Sequence, residues 1–174
     1  RHTRFRNVTG VQTCALPIST VSPYLGFGSL QPFVDTARRH GAGLFVLGLT
    51  SNPEGPEVQH ARIPGAASVA GRMLDHLRDL NADTAPHGSF GAVVGATIAE
   101  PAPEDGVDLD FGGPILAPGF GAQGGTVADL RRIFGSASAR VLPSSSREIL
   151  AAGPDQQALR DAVARTTESL AGLS

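Results

Sequence analysis

The sequence predicts an α/β fold with a parallel sheet, built as part of a (β/α)8 barrel. Short apolar runs alternate with helical segments from Ile18 onward, which is the pattern of a parallel sheet. The run Gly43–Leu49 is almost wholly apolar, as expected for a strand buried on both faces. Comparable points such as Ile115 and Val141 are one βα unit apart. A complete barrel needs about 250 residues, so the 174 residues of this chain are short for one, and the pattern contains roughly four to five units.

The predicted elements follow from these patterns and from turn residues. Strands are predicted over 18–22, 43–49, 91–97, 114–117 and 140–142. Helices are predicted over 29–37, 67–80, 126–134 and 155–170, with Ser29 and Thr126 as N-caps and Asn81 closing the second helix. The segment 99–113 is dense in Pro, Asp and Glu, which favours an irregular, solvated connection.

Composition narrows the class of partner. The net charge is −2 without a basic run, which argues against nucleic acid and anionic membranes as partners. No apolar run reaches the roughly 18 residues of a membrane span. Cys14 is the only cysteine and has no ligand-like spacing to a histidine, so we expect neither a disulfide nor a metal site. A cytoplasmic protein that binds a small molecule is the resulting expectation.

The first 17 residues differ in character from the rest of the chain. They begin with Arg-His-Thr-Arg and have neither helical nor strand periodicity. We therefore interpret 1–17 as a leader of non-native origin or a poorly ordered terminus, and 18–174 as the folded part.

Two consecutive strand ends carry residues suited to phosphate binding. Gly119-Phe-Gly-Ala-Gln-Gly124 matches the dinucleotide pattern G-x-G-x-x-G, but no acidic residue follows about 20 positions later to hold a ribose. That region offers Ser144-Ser-Ser-Arg147 instead, which suits an anion. In (β/α) barrels, loops after the last strands commonly cradle phosphate with backbone N–H groups. We therefore expect a phosphate cradle whose backbone comes from Gly119, Gly121, Gly124, Gly125 and Ser146, with Arg147 as a bidentate ligand.

Other candidates are weaker. Ser51 and Asn52 could bind a polar ring edge, although Asn52-Pro53 alone favours a turn or helix cap. Tyr24 could line the mouth of a site or pack against the core. The triple serine 144–146 lacks the G-x-S-x-G nucleophile elbow. Solvated helical charge explains a further set of acids, to which we assign no catalysis: Asp35, Asp75, Asp79, Asp129 and Glu148.

Five segments, in order, resemble orotidine 5′-phosphate decarboxylase in its longer-chain bacterial branch. They are Val21-Ser-Pro-Tyr-Leu-Gly26, Leu49-Thr-Ser-Asn-Pro-Glu-Gly55, Val94-Gly-Ala-Thr97, Leu116-Ala-Pro-Gly-Phe-Gly-Ala-Gln-Gly-Gly125 and Ser145-Ser-Arg-Glu-Ile-Leu150. The resemblance implies a partial TIM barrel, with this chain supplying roughly the C-terminal four to five βα units. It also implies decarboxylation of orotidine 5′-monophosphate to UMP without metal or cofactor, in pyrimidine biosynthesis, by a parent homodimer.

The same resemblance assigns roles to three side chains. Arg147 corresponds to the arginine that grips the phosphate, helped by backbone N–H groups near Gly125 and Ser146. Gln123 lies in the mobile loop that closes over the phosphate and reaches toward the pyrimidine. Ser51 corresponds to the serine that hydrogen-bonds the pyrimidine edge.

One departure from the family pattern is decisive for activity. Family members carry an Asp-x-Lys-x-x-Asp motif one strand before the first strand here, and its lysine protonates C6. All 14 residues counted as Lys and Arg are Arg, and the motif is absent from this sequence. We therefore expect no catalytic residue in this chain and no turnover by it. The alternatives are a noncatalytic nucleotide-binding half-barrel that pairs with a separate N-terminal chain and, less favoured, another phosphate-binding barrel such as a sugar-phosphate isomerase.

Overall fold

The computed structural model describes residues 18–65, 67–84 and 86–173. The segment 1–17, interpreted above as a leader, lies outside the described residues. Strands are β1 (Ile18–Val21), β2 (Gly43–Leu49), β3 (Phe90–Val94), β4 (Ile115–Pro118) and β5 (Val141–Ser144). Helices are α1 (Gln31–Arg39), α2 (Gly55–Gln59), α3 (Val69–Asn81), α4 (Val127–Phe134), α5 (Arg147–Leu150) and α6 (Gln156–Leu170). Short 3-10 helices cover Phe27–Leu30, Pro103–Asp105 and Gly135–Arg140.

The five strands form one parallel sheet in sequence order, β1-β2-β3-β4-β5. Crossovers between parallel strands are right-handed, so connections that all step in one direction place their helices on one face. A doubly wound sheet reverses its strand order and carries helices on both faces. The uniform order found here is that of a barrel wall, and the predicted α/β fold with parallel strands is confirmed.

The main hydrophobic core lies between the sheet and the helices. Alternate strand residues such as Val46, Ala92 and Ile115 are at most 2% exposed and belong to one cluster with Leu74 of α3 and Leu130 of α4. Successive residues of a strand point to opposite faces, so this cluster uses only one face of the sheet. Helices are therefore packed on what corresponds to the outer surface of a barrel.

The opposite face of the sheet carries a row of apolar side chains. Leu47, Val93, Leu116 and Leu142 are in register across the last four strands. Val93 is 5% exposed, whereas Leu142 on the terminal strand is 50% exposed. Exposure along this face is thus high at the β5 edge, in keeping with a sheet that holds five of the eight strands of a barrel.

The connection from β3 to β4 contains no α-helix and is fixed by polar contacts instead. The buried Asp105 bonds through its carboxylate to Nδ1 of His60 at 2.9 Å, and its carbonyl accepts from Ser68 Oγ at 2.6 Å. Arg78 of α3 bonds to Asp108 at 2.8 Å. The prediction of an irregular connection is confirmed, but Asp105 is buried and paired rather than solvated.

Several local predictions differ from the observed structure. Ser29 does not cap α1: its hydroxyl donates to the Gly26 carbonyl at 2.7 Å inside the preceding 3-10 turn, and α1 begins at Gln31. The third strand covers Phe90–Val94 rather than 91–97, although the N–H groups of Gly95 and Ala96 still bond to the Leu49 and Pro118 carbonyls of the two neighbouring strands. Thr126 caps α4 as predicted, in a capping box with Asp129.

In the ranges the structure describes, every helix is too short or too polar to cross a lipid bilayer.

Candidate functional site

The candidate residues gather along the carboxyl edge of the sheet. Parallel strands end at the same edge, so the loops that follow β2, β3, β4 and β5 are neighbours. Ser51 follows β2, Thr97 follows β3, and the segment Gly119–Gly125 follows β4. Ser145, Ser146 and Arg147 follow β5. This sheet edge therefore carries every side chain that the sequence assigned to substrate binding.

The loop after β4 is a compact turn that depends on glycine. Gly119, Gly121 and Gly124 have φ values of 102°, 76° and 93°, a region that L-residues with side chains rarely adopt. Gly125 has ordinary φ, but a Cβ there would lie 2.7 Å from the Gly119 carbonyl oxygen. Conformation and close backbone approach together explain why this loop contains four glycines.

Three N–H groups of this loop are engaged within it. Gly121 N–H donates to the Gly125 carbonyl at 3.0 Å, Gly124 N–H to Gly121 at 2.7 Å, and Gly125 N–H to Gly119 at 3.1 Å. An anion could take up these donors only if the loop exchanged its internal bonds. In the conformation described, the glycines shape the turn, and their predicted part as phosphate donors stays a prediction.

The glycine loop packs directly against the turn that follows β5. A side chain at position 121 would collide with the carboxylate of Glu148 and would lie 3.5 Å from Ser145 Oγ. Ser145 Oγ is buried without a hydrogen-bond partner. The two segments predicted to share a phosphate are thus in contact, and the Glu148 carboxylate lies between them rather than on an isolated helical surface.

Gln123 and Arg147 lie on these two adjacent segments. A Cβ placed on Gly119 would be 3.6 Å from both Gln123 Oε1 and Thr97 Oγ1, so the glutamine side chain folds back toward the end of β3. Both Gln123 and Arg147 are exposed. Arg147 is the first residue of the four-residue helix α5, and Ser146 is its N-cap residue without a side-chain bond.

Ser51 lies at the opposite end of this row of loops. A Cβ on Gly95, the first residue after β3, would be 3.4 Å from Ser51 N and 3.6 Å from its Cβ. The neighbour Asn52 is bound within its own loop, with Oδ1 accepting from Thr50 Oγ1 at 2.6 Å and Nδ2 donating to Glu54 at 3.0 Å. The contacts of Asn52 therefore agree with the prediction that it forms a turn. Ser51, in contrast, is exposed at the sheet edge.

The electrostatics of this edge are modest. The hydrogen bond from Asn52, together with one from its own backbone N–H, holds the pKa of Glu54 below its ordinary value of 4.5.

Tyr24, in the loop after β1, is 79% exposed, so it does not pack in the core. Among the side chains that the structure describes, no three His, Cys, Asp or Glu residues cluster closely enough to hold a metal ion.

Three residues near the edge were not singled out from the sequence. Thr97 Oγ1 lies near Gly119, as Gln123 Oε1 does, and its position at the end of a predicted strand was an available signal. Ser145 belongs to the triple serine, which was predicted to suit an anion without a separate role for this hydroxyl. Gln59 bonds to Thr50 from nine residues away, and no local pattern indicates this contact.

The barrel wall with its loops at the carboxyl edge defines the chain as part of a (β/α)-barrel protein. Its family follows from comparison with known sequences. The chain belongs to the orotidine 5′-phosphate decarboxylase / HUMPS family, whose model matches residues 13–162. The match begins five residues before Ile18, the predicted start of the folded part.

Individual relatives give the same family. The chain is 66% identical over 154 residues to an orotidine 5′-phosphate decarboxylase of a Nocardioides species, covering 87% of this chain and 54% of the relative. It is 59% identical over 146 residues to one from Streptomyces coelicolor, covering 84% of this chain and 51% of the relative. The chain spans about half the length of these curated relatives.

Solved structures agree in fold. The crystal structure of a putative orotidine 5′-phosphate decarboxylase from Streptomyces avermitilis superimposes with a TM-score of 0.82 at 55% identity, covering 88% of this chain and 53% of that chain. Leishmania donovani UMP synthase gives a TM-score of 0.64 at 25% identity, covering 95% of this chain and 35% of that chain. The expected family and barrel class are thereby confirmed.

Proposed function

We propose that this chain carries the substrate-binding half of an orotidine 5′-phosphate decarboxylase, which converts orotidine 5′-monophosphate to UMP and CO2. The observation that carries the proposal is the row of contacting loops at the carboxyl edge, in a chain 66% identical to a decarboxylase over 154 residues. The reaction belongs to pyrimidine biosynthesis and needs no metal or cofactor. The parent enzyme acts as a cytoplasmic homodimer.

The phosphate end of the site lies where the glycine loop meets the β5 turn. The Arg147 guanidinium offers two parallel N–H groups to a phosphate, a geometry that lysine cannot reproduce. Ser146 and Gly125 supply backbone N–H groups beside it, after the bond from Gly125 to Gly119 has been exchanged. The carboxylate of Glu148 has to move away from Gly121 for a dianion to approach, since like charges repel.

The pyrimidine end lies toward β2. The Ser51 hydroxyl can donate and accept, which suits the alternating N–H and C=O groups of a pyrimidine edge. Gln123 occupies the region between the two ends, near Gly119 and Thr97. Its amide can bridge phosphate and base once the loop closes.

The chemistry at the ring requires groups beyond those in this sequence. Loss of CO2 leaves an electron pair on C6, which takes up a proton to give UMP. In the family, the lysine of Asp-x-Lys-x-x-Asp supplies that proton, and this chain contains neither the motif nor any lysine. Binding energy from the remote phosphate stabilises the transition state at C6, so this half contributes binding and loop closure while proton transfer belongs to an upstream segment.

A binding experiment tests the phosphate end. UMP affinity is measured by calorimetry for the wild type, Arg147→Ala and the matched control Arg160→Ala, which removes an exposed arginine of α6. Loss of a charge-assisted contact is worth about 1.5–3 kcal/mol, so UMP binding should weaken by roughly ten- to a hundred-fold in Arg147→Ala alone. Equal UMP affinity in Arg147→Ala and the wild type would refute the assigned role.

A turnover assay tests whether this chain binds substrate without catalysing proton transfer. We expect no loss of orotidylate absorbance above background with this chain alone, and decarboxylation by contaminant-free material would refute the proposal. The alternative is a noncatalytic half-barrel that pairs with a separate N-terminal chain. An open reading frame that continues upstream and encodes Asp-x-Lys-x-x-Asp favours the single-chain enzyme, whereas a separate upstream gene favours the paired half-barrel.

A further inference from the structure

The residues on both sides of Ser51 are held by a continuous series of hydrogen bonds. Gln59 Oε1 accepts from the Thr50 N–H at 3.0 Å, and Gln59 Nε2 donates to Thr50 Oγ1 at 2.6 Å. Thr50 Oγ1 donates to Asn52 Oδ1 at 2.6 Å, and Asn52 Nδ2 donates to Glu54 Oε2 at 3.0 Å. We call these four side chains the Gln59 ladder. Ser51 lies between two of its members.

The direction of the ladder is fixed at both ends. A backbone N–H can only donate, so the oxygen of the Gln59 amide must face Thr50 N, and its NH2 group must face the Thr50 hydroxyl. The Glu54 carboxylate is an acceptor, so Asn52 turns its NH2 group toward Glu54 and its oxygen toward Thr50. The Thr50 hydroxyl has one proton, which it donates to Asn52 Oδ1. Each of the four bonds pairs a donor with an acceptor, so these bonds are consistent with one arrangement of the two amides.

The surroundings of Gln59 are built to hold its amide in place. A Cβ on the buried Gly55 would lie 3.1 Å from Thr50 Oγ1 and 3.2 Å from both terminal atoms of Gln59, so glycine permits the close approach. Gln59 is the last residue of α2. The next residue, His60, bonds to the buried Asp105 of the β3–β4 connection at 2.9 Å, which anchors the end of the helix.

We propose that Gln59 is a positioning residue for pyrimidine recognition, acting through Thr50 and Asn52 to fix the backbone that presents the Ser51 hydroxyl. The inference rests on the proposed function and deepens it. Gln59 does not touch the substrate. Its contribution is to hold the flanks of Ser51 before the ligand arrives, because a misplacement of about 1 Å in a positioning group can lower activity on the order of a hundred-fold.

The test separates binding of the base from binding of the phosphate. Affinities for UMP and for ribose 5-phosphate, which lacks the base, are measured by calorimetry for the wild type and Gln59→Met. Methionine keeps the length of the side chain but forms neither amide bond. The matched control is Gln157→Met, since Gln157 is an exposed glutamine of α6 that bonds within its own helix. We expect about a ten-fold loss of UMP affinity in Gln59→Met, with ribose 5-phosphate affinity within about two-fold of the wild type.

A double-mutant cycle with Ser51→Ala gives the readout that a merely structural role would not produce. If Gln59 acts through Ser51, Gln59→Met causes little further loss of UMP affinity once the Ser51 hydroxyl is absent. Additive losses, or equal losses for UMP and ribose 5-phosphate, would overturn the inference. Gln59→Glu is the second variant should Gln59→Met fail to fold, because it keeps an acceptor for Thr50 N–H and removes only the donor. Gln59→Glu should likewise weaken the binding of UMP more than the binding of ribose 5-phosphate.

The outcomes also separate this inference from the proposed function. If the wild type binds UMP more tightly than ribose 5-phosphate and Gln59→Met and Gln59→Glu retain that preference, the positioning role is wrong and the proposed function stands. If the wild type binds UMP no more tightly than ribose 5-phosphate, both are wrong.

Discussion

Asn81 and Phe90 form a reciprocal pair of hydrogen bonds that joins the end of α3 to the start of β3. Asn81 Nδ2 donates to the Phe90 carbonyl at 2.8 Å, and Asn81 Oδ1 accepts from the Phe90 N–H at 3.2 Å. The same Nδ2 reaches the Phe111 carbonyl at 3.3 Å. Asn81 is 4% exposed, so one buried amide links a helix, a strand and the β3–β4 connection.

Asn81→Ala is expected to lower the free energy of unfolding by about 2 to 3 kcal/mol. The substitution leaves the buried Phe90 N–H and carbonyl without their side-chain partners, which costs more than a shared hydrogen bond gains. Urea denaturation followed by circular dichroism measures the change, with Asp83→Ala as the control at an exposed position just beyond the same helix. A loss below about 0.5 kcal/mol would mean that the loop rearranges to satisfy these groups.

Gly113→Ala is expected to destabilise the fold by about 1 to 3 kcal/mol through overpacking. A methyl group there would collide with the Phe90 carbonyl oxygen and lie 2.7 Å from Asn81 Nδ2 and 2.9 Å from the Phe111 ring. Gly28→Ala is the matched control, since a Cβ at Gly28 meets no atom within 4 Å. Thermal unfolding of both variants should give a lower midpoint for Gly113→Ala only. Equal midpoints would contradict the packing argument.

The capping box of α4 should stabilise the protein in a pH-dependent way. The Thr126 hydroxyl and backbone N–H both donate to Asp129, and these bonds hold the pKa of Asp129 below its ordinary value of 3.8. A carboxyl group with a lowered folded-state pKa stabilises the fold above its unfolded pKa, and this contribution is lost as pH falls through the folded value. The stability difference between the wild type and Asp129→Asn should therefore be largest near neutral pH and shrink below about pH 4. Chemical denaturation across this range measures it, and a difference that grows in acid would contradict the assignment.

His76 should make the protein less stable in mildly acidic solution. Burial, followed by the nearby Arg72, lowers the pKa of His76 from its ordinary value of 6.5, and its ring stacks on Phe27 with centroids 4.6 Å apart. The unfolded chain therefore takes up the proton first, and stability falls as pH drops below about 6.5. The free energy of unfolding between pH 7.5 and 5.5 should decline less in His76→Gln than in the wild type. Identical slopes would show that the ring is freely protonated in the fold.

Local sequence signals predicted those parts of the fold that depend on near neighbours. The bounds of β2 are found as predicted, because a run of seven residues that is almost wholly apolar ends at a polar loop. The Thr126 cap is confirmed because its partner Asp129 is three residues away. Ser29 was predicted as a cap without such a partner, since Pro32 is the residue three positions later, and its hydroxyl bonds instead within the 3-10 turn that follows Gly26, where φ is 89°.

Contacts between distant segments were beyond local reasoning. His60 and Asp105 are 45 residues apart, and the acidic composition of the connection indicated solvation rather than a buried pair. The five-residue helix α2 was not predicted, because it is too short for a periodic pattern. The predicted neighbourhood of the glycine loop and the β5 turn is found in the structure, whereas the ligand roles of Ser51, Gln123 and Arg147 stay predictions.

Two of the bonds that hold the β3–β4 connection go to its main chain, since Ser68 bonds to the Asp105 carbonyl and Arg62 to the Glu104 carbonyl. Carbonyl oxygens are common to all amino acids, so the bond from Arg62 is compatible with many residues at position 104, whereas Asp105 is also held through its own carboxylate. The exposed Glu104 is accordingly a position where a fluorophore attachment residue could be introduced, with Cys14 as the other cysteine to be replaced.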